Sequence, residues 1–213
     1  MPHFMFYSRQ LKKQYIRRMQ AIKDHACRRD DTETLDMLQA ESSAACEQAR
    51  LLCGIAEPHL FAGTKQTYCP LGEAMHPAMV ADLRQEERFI FLEYFIIGEE
   101  LFWNDILDIL WEKAAQGVEV RLVHDDMGCM TTLPGSYART LRSYGFRAVS
   151  YSVLRGNTDS EIYSRSHRKL LIINGKVGCT GGINLADNSI SACEKYGHWK
   201  DTGVRLKGKA VWG

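Results

Sequence analysis

The sequence feature that most constrains the fold is a run of apolar residues that enters Asn174-Gly175 and is followed by a second short strand pattern. Asn-Gly between apolar residues is the strongest local signal for a two-residue hairpin turn of type I′. With a two-residue turn, Lys169 is expected to face Thr180, and His167 is expected to face Gly182. The stretch therefore predicts an antiparallel β-hairpin with a defined register.

One face of this predicted hairpin carries polar groups of several chemical kinds. Side chains alternate along a strand, so the residues at every second position share a face. An imidazole, an ammonium, a hydroxyl, a glycine backbone and an amide are thereby brought together, at His167, Lys169, Thr180, Gly182 and Asn184. This combination of a nucleophile, a cation and neutral donors predicts a phosphate site.

The remainder of the chain after residue 65 alternates between strand and helix patterns. A β-α-β-α-β order predicts an α/β fold with a mostly parallel sheet and helices on both of its faces. The strand patterns lie at 66–69, 88–97, 118–124, 146–151 and 202–206, and the helix patterns at 73–84, 101–115 and 136–144. We therefore predict an α/β domain over residues 65–213.

Residues 1–64 predict a separate helical segment and a connector. Basic side chains surround the apolar positions between residues 9 and 23, which indicates a basic amphipathic helix. Such a helix either binds an anionic lipid surface or exposes its basic face to solvent, and the sequence does not distinguish these two alternatives.

The composition excludes several classes of protein. The formal net charge of +1 does not favour nucleic acid as a partner, and the seven cysteines form no paired spacing, which favours reduced thiols. The longest apolar run, 89–97, is too short to span a bilayer. No cluster of metal-ligand type is visible, so we predict neither a metal nor another cofactor.

Several motifs resemble a known family. His167-x-Lys169-x4-Asn174, followed by Gly181-Gly182-Ile183-Asn184, resembles the HxKx4D and G(G/S)xN signatures of the phospholipase D superfamily. The flanking text is similar to bacterial cardiolipin synthases at Tyr68–Glu73, Phe89–Phe95, Gly181–Asp187 and His198–Thr202. The resemblance runs from residue 66 to the end of the chain, and it implies that the domain is truncated there, because the family's pattern would continue into a helix. It covers only the first of the two motif copies of a cardiolipin synthase, and it lacks the N-terminal transmembrane helices that are usual in these enzymes.

The resemblance implies a role for each matching residue. His167 is implied as the nucleophile that forms a phosphohistidine, and Lys169, Gly182 and Asn184 as the groups that bind the phosphate. A carboxylate about thirty residues downstream is implied to orient the histidine, and Asp201 is our candidate, with Glu194 as the second.

Asn174 stands where the family has an aspartate, and we include it among the catalytic positions. If the aspartate only shapes the turn, Asn174 serves equally well. If the aspartate forms an ion pair beneath the sheet, Asn174 loses that pair.

Three functions are compatible with these motifs. The first is a cardiolipin-synthase-like phosphatidyltransferase that acts on phosphatidylglycerol, an anionic phospholipid, from the cytoplasmic side as a peripheral protein at the inner face of the cell membrane. The second is a homodimeric phosphodiesterase or nuclease of the phospholipase D type. The third is an inactive half that binds lipid phosphate. The first two require a second motif half, supplied in cis, in trans or by homodimerisation.

Overall fold

The computed structural model describes residues 31–56, 60–85, 88–153, 165–193 and 197–212, together with Arg17. The predicted basic helix lies outside these residues apart from Arg17, which is helical and exposed. Glu194 also lies outside them. The chain divides into two compact units, the first reaching Ala62 and the second spanning Gly63–Trp212.

The described part of the first unit contains two helices, α1 (Thr32–Glu41) and α2 (Ser43–Ala56). They are separated by Ser42, whose backbone is extended and whose hydroxyl accepts a hydrogen bond from the Ala45 amide at 3.3 Å. A serine oxygen at this position satisfies one of the amides that the first turn of a helix leaves free. Ser42 therefore ends α1 and caps the first turn of α2.

The described part of the second unit contains seven strands, three α-helices and two short 3₁₀ turns. In chain order they are β1 (Lys65–Cys69), α3 (Gly72–Leu83), β2 (Phe89–Tyr94), α4 (Leu101–Ala115), β3 (Glu119–Asp125), α5 (Tyr137–Ser143), β4 (Arg147–Tyr151), β5 (Lys169–Ile173), β6 (Val177–Gly181), a 3₁₀ turn at Asp187–Ile190, β7 (Gly203–Lys207) and a 3₁₀ turn at Lys209–Val211. In the described part of the chain, no helix has both the length and the apolar character that crossing a bilayer requires.

The seven strands form one mixed sheet in the order β1-β7-β6-β5-β2-β3-β4. The predicted α/β class is confirmed, but the sheet is less parallel than predicted. Only the β2–β3 and β3–β4 pairs are parallel, whereas β5 pairs with β2 and β6 antiparallel, and β7 pairs with β6 and β1 antiparallel. The helical crossovers α4 and α5 enforce parallel pairing in one half, and the hairpin reverses the direction in the other.

The three helices of this unit contribute to the core on one face of the sheet. On that face Ile90 and Leu92 of β2 are buried together with Met75, Phe102 and other apolar residues of the helices. The indole nitrogen of Trp103 on α4 donates to the Tyr137 hydroxyl on α5 at 2.6 Å, which joins two of the helices. Helices were also predicted on the opposite face of the sheet. Among the described residues, the C-terminal segment lies on that face instead, and the rings of Phe89 and Trp212 are 5.7 Å apart there.

The hairpin forms as predicted, but its register is shifted by one residue. Asn174 and Gly175 have φ angles of 53° and 64°, the left-handed values that a type I′ turn requires. The paired residues are nevertheless Ile173 with Val177 and Leu170 with Thr180, because Lys176 is an extra residue between the turn and β6. Since a shift by one exchanges the two faces of a strand, Thr180 is not opposite Lys169 as predicted.

Candidate active site

His167 lies just before β5, and Lys169 is the first residue of that strand. The Lys169 ammonium lies 3.1 Å from Nδ1 and 3.2 Å from Nε2 of the His167 ring, and it donates to the His167 carbonyl at 2.9 Å. Lys169 is 4% exposed, whereas His167 is exposed. The site therefore presents an accessible imidazole above a buried cation.

Burial changes the acidity of this cation. Desolvation disfavours the charged ammonium and lowers the pKa of Lys169 below its ordinary value, while the Asp201 carboxylate acts in the opposite direction. The Phe95 ring lies 4.6 Å from the His167 ring and 5.3 Å from the Lys169 nitrogen. An aromatic face next to an ammonium contributes a cation–π attraction. Phe95 follows β2 at the edge of the sheet, and the sequence alone did not single it out.

Asp201 is held in place by two neighbours. Its Oδ2 accepts a hydrogen bond from the Trp199 indole at 2.6 Å. On its other side is Gly182, where an added Cβ would lie 2.7 Å from Oδ1 of Asp201. No hydrogen bond joins Asp201 to His167 among the residues the structure describes, whereas the Asp201 carboxylate acts electrostatically on Lys169 and raises its pKa. A fixed carboxylate close to the site is thus present at the predicted position.

Asn184 lies beside the end of β2. Its side-chain oxygen accepts a hydrogen bond from the Ile96 amide at 3.1 Å, one residue after Phe95. A backbone bridge between Ile97 and Leu185 joins the same two segments. The structure therefore brings Asn184 to the same edge of the sheet as His167, together with Lys169, Gly182 and Asp201.

Asn174 is not part of this cluster, because it lies beyond the opposite end of β5 from His167. Its side-chain oxygen accepts hydrogen bonds from the Arg88 amide at 2.7 Å and the Phe89 amide at 3.2 Å, and its own amide donates to the Phe89 carbonyl at 3.0 Å. These bonds fasten the hairpin turn to the start of β2. Of the two roles considered from the sequence, this geometry matches an anchor of the turn.

Asp125, at the end of β3, fixes the segment that precedes His167. Its carboxylate is 1% exposed and accepts hydrogen bonds from the Ser166 amide at 3.1 Å and the Arg165 guanidinium at 3.3 Å. Arg165 also donates to the Ser152 carbonyl at 3.0 Å, and the Ser166 hydroxyl donates to Glu93. Asp125 is therefore a buried acceptor that joins the end of β3 to the segment before His167.

Two other polar side chains near this edge belong to the core. His124 is buried and its Nε2 lies 3.1 Å from the Ser150 hydroxyl, and desolvation lowers the pKa of its imidazole. Tyr94 is 3% exposed, and burial raises its pKa well above the usual value. Arg168, by contrast, lies at the surface, where 72% of its side chain is exposed. Its Nη1 atom lies 3.7 Å from Oε2 of Glu93.

The fold is shared with two solved structures. NucT from Helicobacter pylori superposes with a TM-score of 0.52 at 12% identity, over 70% of this chain and 89% of that one. A phosphatidylserine synthase from Haemophilus influenzae superposes with a TM-score of 0.51 at 12% identity, over 68% of this chain and 34% of the other. At this level of identity the likeness concerns the fold alone.

Sequence comparison identifies the family. Residues 82–201 match the family model described as cardiolipin synthase, PLD-like domain, and the chain belongs to this family. An uncharacterized protein of Streptococcus mutans is 39% identical over 95% of the chain and 44% of its own length. A cardiolipin synthase of Oceanobacillus iheyensis is 34% identical over 66% of the chain and 29% of its own length, and a probable cardiolipin synthase of Bacillus subtilis is 34% identical over 74% and 32%. The chain thus spans less than half the length of these relatives.

Proposed function

We propose that this chain takes part in phosphatidyl transfer between two phosphatidylglycerol molecules, with His167 as the nucleophile. The observation that carries the proposal is the buried Lys169 ammonium held within 3.2 Å of an exposed imidazole. A preorganised cation in a site of low dielectric stabilises the charge that develops on the phosphate during attack. The membership in the cardiolipin synthase family supports the choice of a phospholipid as the substrate.

The proposed reaction proceeds in two displacements. An imidazole nitrogen of His167 attacks phosphorus, and the bond from phosphorus to the glycerol headgroup oxygen breaks. The leaving glycerol takes a proton from a general acid, which leaves a phosphatidylhistidine. A hydroxyl of the second phosphatidylglycerol then attacks phosphorus and gives its proton to the same group, now a base, while the bond from nitrogen to phosphorus breaks. The products are cardiolipin and free glycerol, and His167 is regenerated.

The other residues of the site have supporting roles in this proposal. Lys169 neutralises the non-bridging oxygens, and Gly182 and Asn184 supply space and a neutral donor for the phosphate. Asp201 stabilises the charged form of Lys169, and it also orients His167 if the ring turns towards it when substrate binds. Asn174 contributes through the hairpin turn, at a distance from the phosphate.

The general acid belongs to a second motif half in this proposal. It comes from a longer polypeptide, from a separate chain or from a second copy of this chain in a homodimer. We propose that the protein acts at the inner face of the cell membrane, because a cytoplasmic chain would reach phosphatidylglycerol there. Nucleic acid is not part of the proposal, because the formal net charge is only +1.

The experiment uses radiolabelled phosphatidylglycerol in mixed micelles, with and without a separately expressed second half from a cardiolipin synthase. We expect cardiolipin and an acid-labile, alkali-stable label on the protein, and both should be lost in His167→Ala. His198→Gln is the matched control, because His198 is exposed and bonded to Glu73 at 3.0 Å. This control should retain activity.

Each result decides between the three functions. Cardiolipin that depends on His167 supports the transferase. Phosphatidic acid alone, with water as the acceptor, indicates a phosphodiesterase instead. Lipid binding without product or protein label, even with the second half present, contradicts the proposal and supports an inactive half that binds lipid phosphate.

A further inference from the structure

Three apolar side chains are exposed beside the candidate site. They are Met127 at 43% and Met130 at 63%, in the turn after β3, and Val153 at 43%, just after β4. We name them the apolar rim. Exposed side chains of this kind are common singly, but a group next to a functional site marks a surface that contacts an apolar partner.

The turn that carries the two methionines is firmly attached to the core. The Asp125 carboxylate accepts hydrogen bonds from the amides of Met127 and Gly128, both at 3.0 Å. Cys129 is buried, and its sulfur accepts a hydrogen bond from the Ile97 amide at 3.3 Å. An added Cβ at Gly128 would lie 2.2 Å from the Phe95 carbonyl, so the turn packs closely against the end of β2. The methionines are therefore displayed outward from a fixed backbone.

Hydrogen bonds join the segments that carry the apolar rim to the segment that precedes His167. The same Asp125 carboxylate that holds the turn accepts the amide of Ser166, the residue before His167. On the other side, Arg165 donates to the carbonyl of Ser152, the residue before Val153. The Asp125 carboxylate and the Arg165 guanidinium therefore connect the segments of the rim to the segment that carries the nucleophile.

Exposed cations accompany these apolar side chains. Arg168 follows His167, and Lys200 precedes Asp201, and both are exposed. Apolar side chains that enter the acyl region, next to cations that attract anionic headgroups, are the pattern by which proteins bind a membrane surface. Methionine suits this role because its flexible side chain adapts to irregular apolar surroundings.

We infer that the apolar rim enters the interfacial region of an anionic phospholipid bilayer and so seats the site on its substrate surface. The inference rests on the proposed function, because a phospholipid substrate is what brings the site to a membrane. It goes further than the proposed function because it names the surface that contacts the bilayer and assigns headgroup attraction and apolar burial to different residues. Arg168 and Lys200 attract headgroups, and the rim buries apolar surface in the bilayer.

The test measures co-sedimentation with vesicles of phosphatidylglycerol and phosphatidylcholine in equal amounts. We expect Met127→Ser combined with Met130→Ser to weaken vesicle binding by about tenfold, from the apolar area that no longer leaves water. The control is Trp111→Ser, because Trp111 is 55% exposed on α4 and its loss should leave vesicle binding unchanged. Binding of monomeric dihexanoyl phosphatidylglycerol should be the same in all of these proteins.

Unchanged vesicle affinity in the double variant overturns the inference. So does an equal loss of affinity for vesicles and for the monomeric lipid, which indicates a distorted site. A change in dimer content by light scattering, with vesicle affinity unchanged, assigns the rim to a second copy of the chain instead. If the double variant does not fold, Met130→Ser alone should weaken vesicle binding about threefold.

The vesicle assay does not need turnover, so it separates this inference from the proposed function. If the protein shows no transfer activity but its vesicle affinity depends on the methionines, the transferase proposal fails and the inference that the rim binds the bilayer stands. If activity depends on His167 but vesicle affinity does not depend on the methionines, the inference about the rim fails and the transferase proposal stands.

Discussion

Gly182 and Asp201 are packed so closely that residue 182 has no room for a side chain. A β carbon at this position would lie 2.7 Å from Oδ1 and 3.2 Å from Cγ of Asp201. The Trp199 indole holds the other carboxylate oxygen at 2.6 Å, so Asp201 cannot move away without losing a hydrogen bond. The glycine of the G-G-x-N motif is thereby explained by contact with a carboxylate of the site.

Replacement of Gly182 by alanine should displace Asp201. We expect Gly182→Ala to reduce His167-dependent transfer by about 10- to 100-fold, the effect of a catalytic group misplaced by roughly one ångström. The measurement is the rate of product formation together with the melting temperature. Gly135→Ala is the matched control, since nothing lies within 4 Å of an added Cβ there, and its rate should not change. Equal rates for both variants would show that Asp201 does not act in the reaction.

The interaction of Asp201 with Lys169 predicts a pH effect with a defined direction. Burial lowers the pKa of Lys169, and the Asp201 carboxylate raises it. Removing that charge in Asp201→Asn should therefore lower the pKa of Lys169 further. Because the reaction requires the ammonium form, the alkaline limb of kcat/KM should move to lower pH.

The shape of the pH profile, rather than the rate at one pH, tests this effect, since Asp201→Asn also changes the environment of His167. Titration of the labelled Lys169 nitrogen by NMR gives the pKa directly. Glu119→Gln serves as the control, because Glu119 pairs with Arg121 and Arg147 at the start of β3. An alkaline limb that stays in place or moves to higher pH would contradict the expected coupling.

Asn174 should act on stability rather than on the reaction. Asn174→Asp keeps an oxygen for the Arg88 and Phe89 amides, so activity should stay within about twofold and the melting temperature should not fall. Asn174→Gly keeps the left-handed backbone but leaves those amides without their acceptor, at a cost of about 1–2 kcal/mol. Ser191→Gly, at a second left-handed residue with φ of 53°, controls for the added backbone freedom. A tenfold gain of activity in Asn174→Asp would assign the carboxylate a direct catalytic role.

Much of the fold could be predicted because its signals are local. The apolar periodicity of residues 101–115 coincides with α4, and Asn174-Gly175 adopts the expected left-handed turn. The register of the hairpin could not be predicted. A lysine is equally compatible with pairing in the strand ladder and with an unpaired position next to the turn, and Lys176 takes the unpaired position. The mixed sheet was also missed, because the pairing of β5 with β2 joins residues about eighty positions apart and leaves no local trace.

His167 and Lys169 could be proposed as site residues from their own chemistry, and Asp201 from the family resemblance, and the three stay predictions that the structure brings to one edge of the sheet. Residues of the site were missed where burial decides the role. Phe95 reads as one more apolar residue after a strand, and Asp125 reads as a solvated acid next to Asp126. Only the packing of three strand ends around Ser166 makes Asp125 a buried acceptor, and sequence periodicity does not contain that information.

Asp125 should affect the reaction through the position of His167. Its two oxygens accept hydrogen bonds from four groups, and Oδ2 accepts the Ser166 amide. In Asp125→Asn one oxygen becomes an NH₂ group, which cannot accept a hydrogen bond from that amide. The segment before the nucleophile then loses one of its attachments to β3. We expect kcat to fall about 10- to 100-fold, with little change in KM for a short-chain lipid.

The division between kcat and KM distinguishes positioning from a general loss of structure. Asp126→Asn, at the adjacent half-buried acid, is the control and should leave kcat within about twofold. Ser166→Ala removes the hydrogen bond to Glu93 and should lower kcat in the same direction but by less, because the backbone bond to Asp125 remains. If Asp125→Asn instead raises KM while kcat is unchanged, Asp125 acts on substrate binding. If its melting temperature falls enough to account for the lost activity, the role is structural and the positioning of His167 is not supported.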